Sequence, residues 1–160
     1  VMEGAIIRDG VIMGNNNFIG PYCIIGEAPE KVGWFDKPHK VIITDNCRFT
    51  KQVTVDAGTE QQTIINQGCL LLKNSHVGHD ANLGQNVTLS CNSVIGGWTR
   101  VGNNSNVGLG AVVHQRLNIP EGVMIGMGGV VTKKSMIEPY HKYVGNPVRD
   151  IGSNIRADKA

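Results

Sequence analysis

The sequence predicts an all-β chain folded as a parallel β-helix, a hexapeptide-repeat solenoid of one domain with a protruding loop. Three observations carry this. First, an aliphatic residue opens every sixth position from Ile65 through Leu71, Val77, Leu83, Leu89, Ile95, Val101, Val107, Val113, Ile119 and Ile125 to Val131. A period of six with small residues between is the mark of a parallel β-helix. Second, the chain holds 21 Gly in 160 residues and only 5% aromatics. That suits many tight corners around a narrow core of Val, Ile and Leu. Third, 160 residues is the length of a single domain.

The elements follow in order. Hexads begin at Met13 and Ile19, and their phase returns at Ile43, Phe49 and Val55. Ile25 and Ile43 lie 18 residues apart, which reads as one full turn of a three-sided coil. Residues 27–40 have no hexad pattern and hold two prolines and two aromatics. They read as a loop bulging from a coil whose phase is kept. Residues 58–63 break phase more sharply, because Val55 to Ile65 is not a multiple of six, and read as a second, shorter loop. After Met136 the hexads stop. The division is therefore 1–136 as the β-helix with its loop at 27–40, and 137–160 as an extended tail carrying Pro139 and Pro147 and fraying at its charged end.

Composition excludes several function classes. Net charge is +2 without a long basic run, so no nucleic-acid partner is expected. Apolar runs are too short for a transmembrane segment, and no signal peptide is visible. Cys23, Cys47 and Cys69 each take the small fifth place of a hexad, where a buried thiol replaces Ala, Ser or Val. With no Cys-x-x-Cys pair, the cysteines read as reduced structural residues of a cytoplasmic protein. A lone solenoid leaves flat faces and open ends, so capping or oligomerisation is expected.

The repeat makes a geometric argument possible. Residues 18 apart lie in adjacent coils, roughly 4.8 Å from one another. The third-place column that starts at His79 continues through Gly97, Gln115 and Lys133, and the fourth-place column runs Asp80, Trp98, Arg116 and Lys134. His76 precedes His79 by three residues, and His114 adjoins Gln115. This combination fits acyl transfer. A neutral His79 can take the proton of an attacking hydroxyl or amine, and Asp80 can orient the ring and stabilise its cation. The N–H of Gly97 can face an oxyanion, a donor worth roughly 3–4 kcal/mol. Lys133 and Lys134 can hold phosphates of a carrier arm. The bland alternative makes His76 and His79 polar corner residues on a solvated face; for His39 and His141, in loops, that alternative stands. A zinc set like that of carbonic-anhydrase-like hexapeptide proteins needs two His five apart. No two His here have that spacing, so no metal is expected.

The segment Ser75-His76-Val77-Gly78-His79-Asp80 resembles the H-[IV]-[AG]-H-D motif of the UDP-N-acetylglucosamine O-acyltransferases of lipid A synthesis. Ile19-Gly20-Pro21-Tyr22-Cys23, Val53 to Thr59, and Gly110-Ala111-Val112-Val113-His114-Gln115 are similar to further stretches of that family, so the likeness runs over about residues 10–135. The resemblance implies a left-handed helix, a homotrimer with active sites between subunits, and an acyl-thioester donor, either acyl-ACP (an acyl carrier protein) or acyl-CoA. It implies His79 as general base supported by Asp80, Gly97 as oxyanion donor, and His76, His114 and Gln115 as substrate or acyl-arm contacts. Met127 falls where residue size limits acyl length in the family, and Trp98 replaces a family His; both are bulky, which favours a short acyl group. Three departures stand out. The 160 residues are expected to stop short of the family's C-terminal helical domain, its first-loop Gln-Asp-x-Lys reads Glu30-Lys31-Val32-Gly33, and its His-Arg-Gly-Thr reads Asp56-Ala57-Gly58-Thr59. The Gly145-Asn146-Pro147 ending instead looks like that of CoA-dependent sugar acetyltransferases.

The expected activity is thus transfer of a short to medium acyl group from a thioester carrier to a hydroxyl of a sugar or nucleotide sugar such as UDP-N-acetylglucosamine. An acetyl-CoA-dependent O- or N-acetyltransferase of a surface-polysaccharide sugar is the alternative enzyme. A catalytically silent trimeric scaffold is the alternative of another class.

Overall fold

A computed structural model describes residues 1–34 and 37–155. It is all-β, and its strands stack into three parallel sheets that form the faces of a left-handed β-helix. Face 1 runs from Ile6–Ile7 through Ile24–Glu27, Thr54–Asp56, His76–Val77, Val94–Ile95 and Val112–Val113 to Val130–Val131. Face 2 runs from Val11–Met13 to Asn118–Ile119, and face 3 from Phe18–Ile19 to His141–Val144. The register is the one the hexads require: Val77 pairs with Ile95, and Ile95 with Val113. The opening aliphatic of each hexad points inward, and Ile65, Leu71, Val77, Leu83, Leu89 and Ile95 are all fully buried.

Most corners are made by the fourth residue of a hexad in the left-handed backbone region. Asn16, Asn46, Asn74, Asn86, Asn92 and Asn104 all have φ between 56° and 60° there, and Gly68, Gly110, Gly122 and Gly128 take the same place. Asn and Gly tolerate this conformation best. Short corners of this kind replace the long crossovers whose handedness is normally right.

The loops differ from the spacing argument in one respect. Ile25 pairs with Val55 on face 1, whereas Ile43 pairs with Ile65 on face 2. The 18 residues from Ile25 to Ile43 are therefore not a full turn. They are one side of six plus an insertion of twelve, and because twelve is itself two hexads the phase looks undisturbed. The second loop spans residues 57–62 and adds four residues, so that Val77 follows its partner Val55 by 22 instead of 18. Beyond Met136 the solenoid continues for one more side. Tyr143 pairs with Ile125, 18 residues on, and its buried ring fills the place of an aliphatic while its hydroxyl accepts from the Glu138 N–H at 2.7 Å. The strand Arg149–Ser153 then turns back antiparallel to it. Cys23, Cys47 and Cys69 are buried free thiols at their corners.

Candidate active site

The corner that follows face 1 carries unusual residues. Where most corners use Asn or Gly, with Tyr22, Gln52 and Tyr140 as the other exceptions, this one has Asp80 at φ 62°, Trp98 at 56° and Arg116 at 61° in three successive coils. A bulky side chain in this region is strained wherever it occurs, so what sets this corner apart is its run of an acid, an aromatic and a base beside two histidines. His79 is 7% exposed, and its Nδ1 lies 2.7 Å from Asp80 Oδ2. Because an ionised carboxylate only accepts, Nδ1 carries a proton, and in the neutral ring the lone pair is then on Nε2.

The short loop explains why Asp80 stays ionised. The backbone N–H groups of Thr59, Glu60 and Gln61 donate to its carboxylate at 2.7–3.0 Å, and the Thr59 hydroxyl donates at 2.7 Å. Asp80's own N–H is held by Thr63 Oγ1 at 2.9 Å, and Gln61 Nε2 donates to its carbonyl at 2.8 Å. Burial opposes the charge, but His79 and these N–H groups overcome it and hold the carboxyl well below the usual range. The tight turn needs Gly58, where a Cβ would collide with the Gln61 carbonyl oxygen.

Gly97 lies in the next coil against the His79 ring. A Cβ there would sit 2.9 Å from both Cε1 and Nε2 of His79. Any other residue would displace the imidazole or cover its free nitrogen. The Gly97 N–H has no hydrogen-bond partner among the described residues.

His76 sits on face 1 directly opposite Thr54, its Nδ1 2.8 Å from Thr54 Oγ1. Its Nε2 lies 3.8 Å from Oδ2 of Asp56, a carboxylate only 6% exposed. Burial pushes Asp56 up to about 6, helped by the nearby Glu30 and Glu27 charges and opposed by the Glu30 N–H and by His79. Burial likewise lowers His76. Trp98 meets His79 edge to face, with centroids 4.3 Å apart at 83°. Arg116 stacks on the Trp98 ring at 3.8 Å and Lys31 of the long loop at 5.0 Å; Lys31 also pairs with Glu60 at 3.4 Å. The long loop is thereby fastened beside the site.

The structure thus brings His79, Asp80, Gly97, His76 and Trp98 together. His114 and Gln115 are exposed one coil beyond Gly97, with His114 Nδ1 donating to the Gln115 carbonyl at 2.9 Å. Lys133 and Lys134 are exposed a further coil away. Met127 is 76% exposed on a different corner, the one after face 3, in a column with Cys91 and Leu109. Within one chain it stands apart from His79, and Trp98 packs on the base itself. No group of three or more His, Cys, Asp or Glu suited to a metal occurs among the described residues. No helix among them is long and apolar enough to cross a membrane. Two clefts of about 400 and 620 Å³ lie near the far end of the long loop, and His79 lines neither.

Sequence reasoning assigned no role to Asp56 or to the N–H cradle at Thr59, Glu60 and Gln61. The available signal was the phase break itself. Four added residues one coil before Asp80 place a loop against it, and Asp56 is the last strand residue before that loop.

No family model matches the chain. It is 35% identical over 81 residues to the acyl-[acyl-carrier-protein]–UDP-N-acetylglucosamine O-acyltransferase of Anaeromyxobacter sp., a span of 49% of this chain and 32% of that protein. It is 31% identical over 86 residues to the UDP-3-O-acylglucosamine N-acyltransferase of Dechloromonas aromatica, covering 52% of this chain and 23% of that one. The solved UDP-N-acetylglucosamine acyltransferase of Bacteroides fragilis superposes with a TM-score of 0.93 at 28% identity, over 99% of this chain and 62% of that one. The matched part is about a third or less of the length of these two curated relatives. The chain is similar to UDP-N-acetylglucosamine O-acyltransferases in both sequence and fold.

Proposed function

We propose that this chain is an acyltransferase that moves an acyl group from a thioester donor to a hydroxyl of a nucleotide sugar such as UDP-N-acetylglucosamine. The observation that carries the reading is the free Nε2 of His79, fixed by Asp80 at Nδ1 and left open by the missing side chain at Gly97. The relatives named for O-acyl and N-acyl transfer to UDP-sugars point the same way.

The chemistry follows from these groups. Nε2 takes the proton of the acceptor hydroxyl as its oxygen attacks the thioester carbonyl. The His79 cation that forms is stabilised by the ionised Asp80, which stays a carboxylate throughout. The Gly97 N–H, free of other partners, can donate to the tetrahedral oxyanion. Collapse breaks the C–S bond, and the departing sulfur takes the proton from Nε2. Ester and thiol leave, and His79 returns neutral. Trp98 shields one side of the imidazole from water. His114 and Gln115, in the adjoining coil, are placed to contact substrate or the acyl arm. Lys133 and Lys134 would meet the phosphates of the donor, acyl-ACP or acyl-CoA, farther along.

A homotrimer belongs to this proposal. In the C-terminal half, face 1 presents Val94, Val112 and Val130 outward, whereas face 2 presents Arg100 and Asn118 and face 3 Thr88, Asn106 and Met124, so face 1 alone is uniformly apolar there. An apolar ribbon beside an open catalytic corner is what a second subunit would cover.

The test is release of free thiol from acetyl, butyryl, octanoyl and longer CoA and ACP thioesters with UDP-N-acetylglucosamine. Turnover that vanishes in His79→Ala supports the reading. Absence of turnover in the wild type with every donor and several sugar nucleotides would favour the silent scaffold.

A further inference from the structure

We propose that Asp56 and His76 together read a hydroxyl of the acceptor sugar other than the one that attacks, with Asp56 as the residue that sets this specificity. The acceptor class rests on the acyl-transfer reading above; the pair itself rests on geometry. One strand supplies both partners of the His76 ring. Thr54 and Asp56 point the same way from Thr54–Asp56, and His76 lies opposite Thr54 in the neighbouring strand, so its ring spans the two. The Thr54 hydroxyl faces Nδ1 at 2.8 Å, and Nε2 faces Asp56 Oδ2 at 3.8 Å.

That second distance is the informative one. It is too long for a hydrogen bond, so the pair is not satisfied by itself. The Asp56 carboxylate beside Nε2 favours the tautomer with the proton on that nitrogen, in which the Thr54 hydroxyl donates to Nδ1. A single group about 2.8 Å from both would close a triangle, accepting from Nε2–H and donating to the carboxylate. A hydroxyl has both capacities. A phosphate oxygen only accepts and would be repelled by Asp56, and the nearby Glu30 and Glu27 add to that repulsion. The pair therefore selects the sugar end of the acceptor, beside the base, and excludes the phosphate end. Other groups facing it are His79 and, through Glu27, Arg8, which is paired to that carboxylate. Asp56 is pushed up to about 6 by burial. Below that pH it is protonated and no longer a good acceptor, so hydroxyl discrimination should weaken there.

The experiment measures binding and turnover of UDP-N-acetylglucosamine and its 4-deoxy and 6-deoxy analogues, with wild type, Asp56→Asn and Asp56→Leu. In the wild type one deoxy analogue should bind at least about tenfold more weakly than the parent, because its loss leaves buried polar groups unpaired. Asp56→Asn keeps an acceptor oxygen and should retain part of that discrimination. Asp56→Leu should lose it, with KM affected more than kcat. A parallel imidazole NMR titration should show the His76 transition moved by both substitutions, a change that mere packing would not produce. Equal binding of all three sugars by the wild type, no binding of any, or unchanged discrimination in Asp56→Leu would overturn the proposal. Discrimination in binding without turnover of any thioester would instead remove the acyl-transfer reading and leave the pair standing.

Discussion

At the fourth place of the corner after face 1, Asp80 and Trp98 occupy a backbone region that most corners of this solenoid give to Asn or Gly. Both bear on one imidazole, Asp80 at Nδ1 and Trp98 against the ring. His79→Ala should lower turnover roughly 100- to 10,000-fold with the fold intact, the range for loss of a general base. Asp80→Asn should cost less, since the base remains; steady-state kinetics with a circular-dichroism control checks both. Near-normal turnover in His79→Ala would remove it as the base. Gly97→Ala should be as damaging as losing the base, about 100-fold or more, because its Cβ would lie 2.9 Å from Nε2. A variant with normal kcat would mean that the ring moves aside freely and that its position is not what Gly97 secures. Asp56 makes a separate prediction about stability. Its folded-state pKa, about 6, lies above the ordinary aspartate value of 3.8. Between those values the folded state binds more protons, so stability falls as pH rises, and the loss is complete above about 6. Asp56→Asn should therefore raise Tm at pH 8 more than at pH 4. An equal effect at both values would show that Asp56 is not perturbed by burial.

The short loop is the element that turns a repeat position into a site. Its three N–H donors converge on Asp80, and they do so because Gly58 lets the chain fold back onto Gln61. Gly58→Ala should open that turn. The depressed pKa of Asp80 contributes stability above the unfolded value, and that contribution is lost as pH falls towards the folded one. The Tm deficit of Gly58→Ala should thus be full at pH 7 and shrink below pH 4, with a fall in kcat as His79 loses its orienting partner; a pH-independent deficit would refute the link. This loop also marks the limit of what the sequence disclosed. The hexad period settles which residues face inward and which stack, so the column His79, Gly97, Gln115 is legible in the sequence alone. Insertions are not legible in the same way. Twelve added residues before Val41 preserve the six-fold phase and read as a full turn, although Ile25 and Ile43 lie on different faces. Four added residues after Asp56 change the step from 18 to 22, so no fixed-step argument can put Asp56 beside His76 or the 59–61 amides around Asp80. Side-chain direction is equally absent from a period. It places Trp98 in a column, but not its edge against His79, nor the Arg116 and Lys31 stacks that hold it there.

For the molecule as a whole, the decisive surface is face 1. Its outward Val112 is 39% exposed, and the corner ahead of it carries Leu109 and Met127, 51% and 76% exposed. Together with Val94 and Val130 they form an apolar ribbon alongside the catalytic corner. Three copies arranged about an axis would bury it, so Val112→Lys should give monomers by light scattering and keep only a small residual activity while its His79–Asp80 pair stays intact. A stable, active monomer would refute the trimer. The same assembly decides what Met127 can do. On its own chain it stands at the corner after face 3, whereas His79 stands at the corner after face 1, so a role in acyl selection requires Met127 from a neighbouring copy to meet the acyl group. If it does, its bulk ends the acyl channel. Each methylene that gains room is worth about 0.8 kcal/mol, roughly fourfold in preference. Met127→Gly should therefore shift relative turnover from acetyl and butyryl towards octanoyl and longer thioesters in the trimer. The shift should be absent from the residual activity of Val112→Lys, where no neighbour is present. A wild type that already prefers long chains, or a Met127→Gly profile unchanged in the trimer, would mean that this exposed methionine only packs against the neighbour and does not measure the acyl chain.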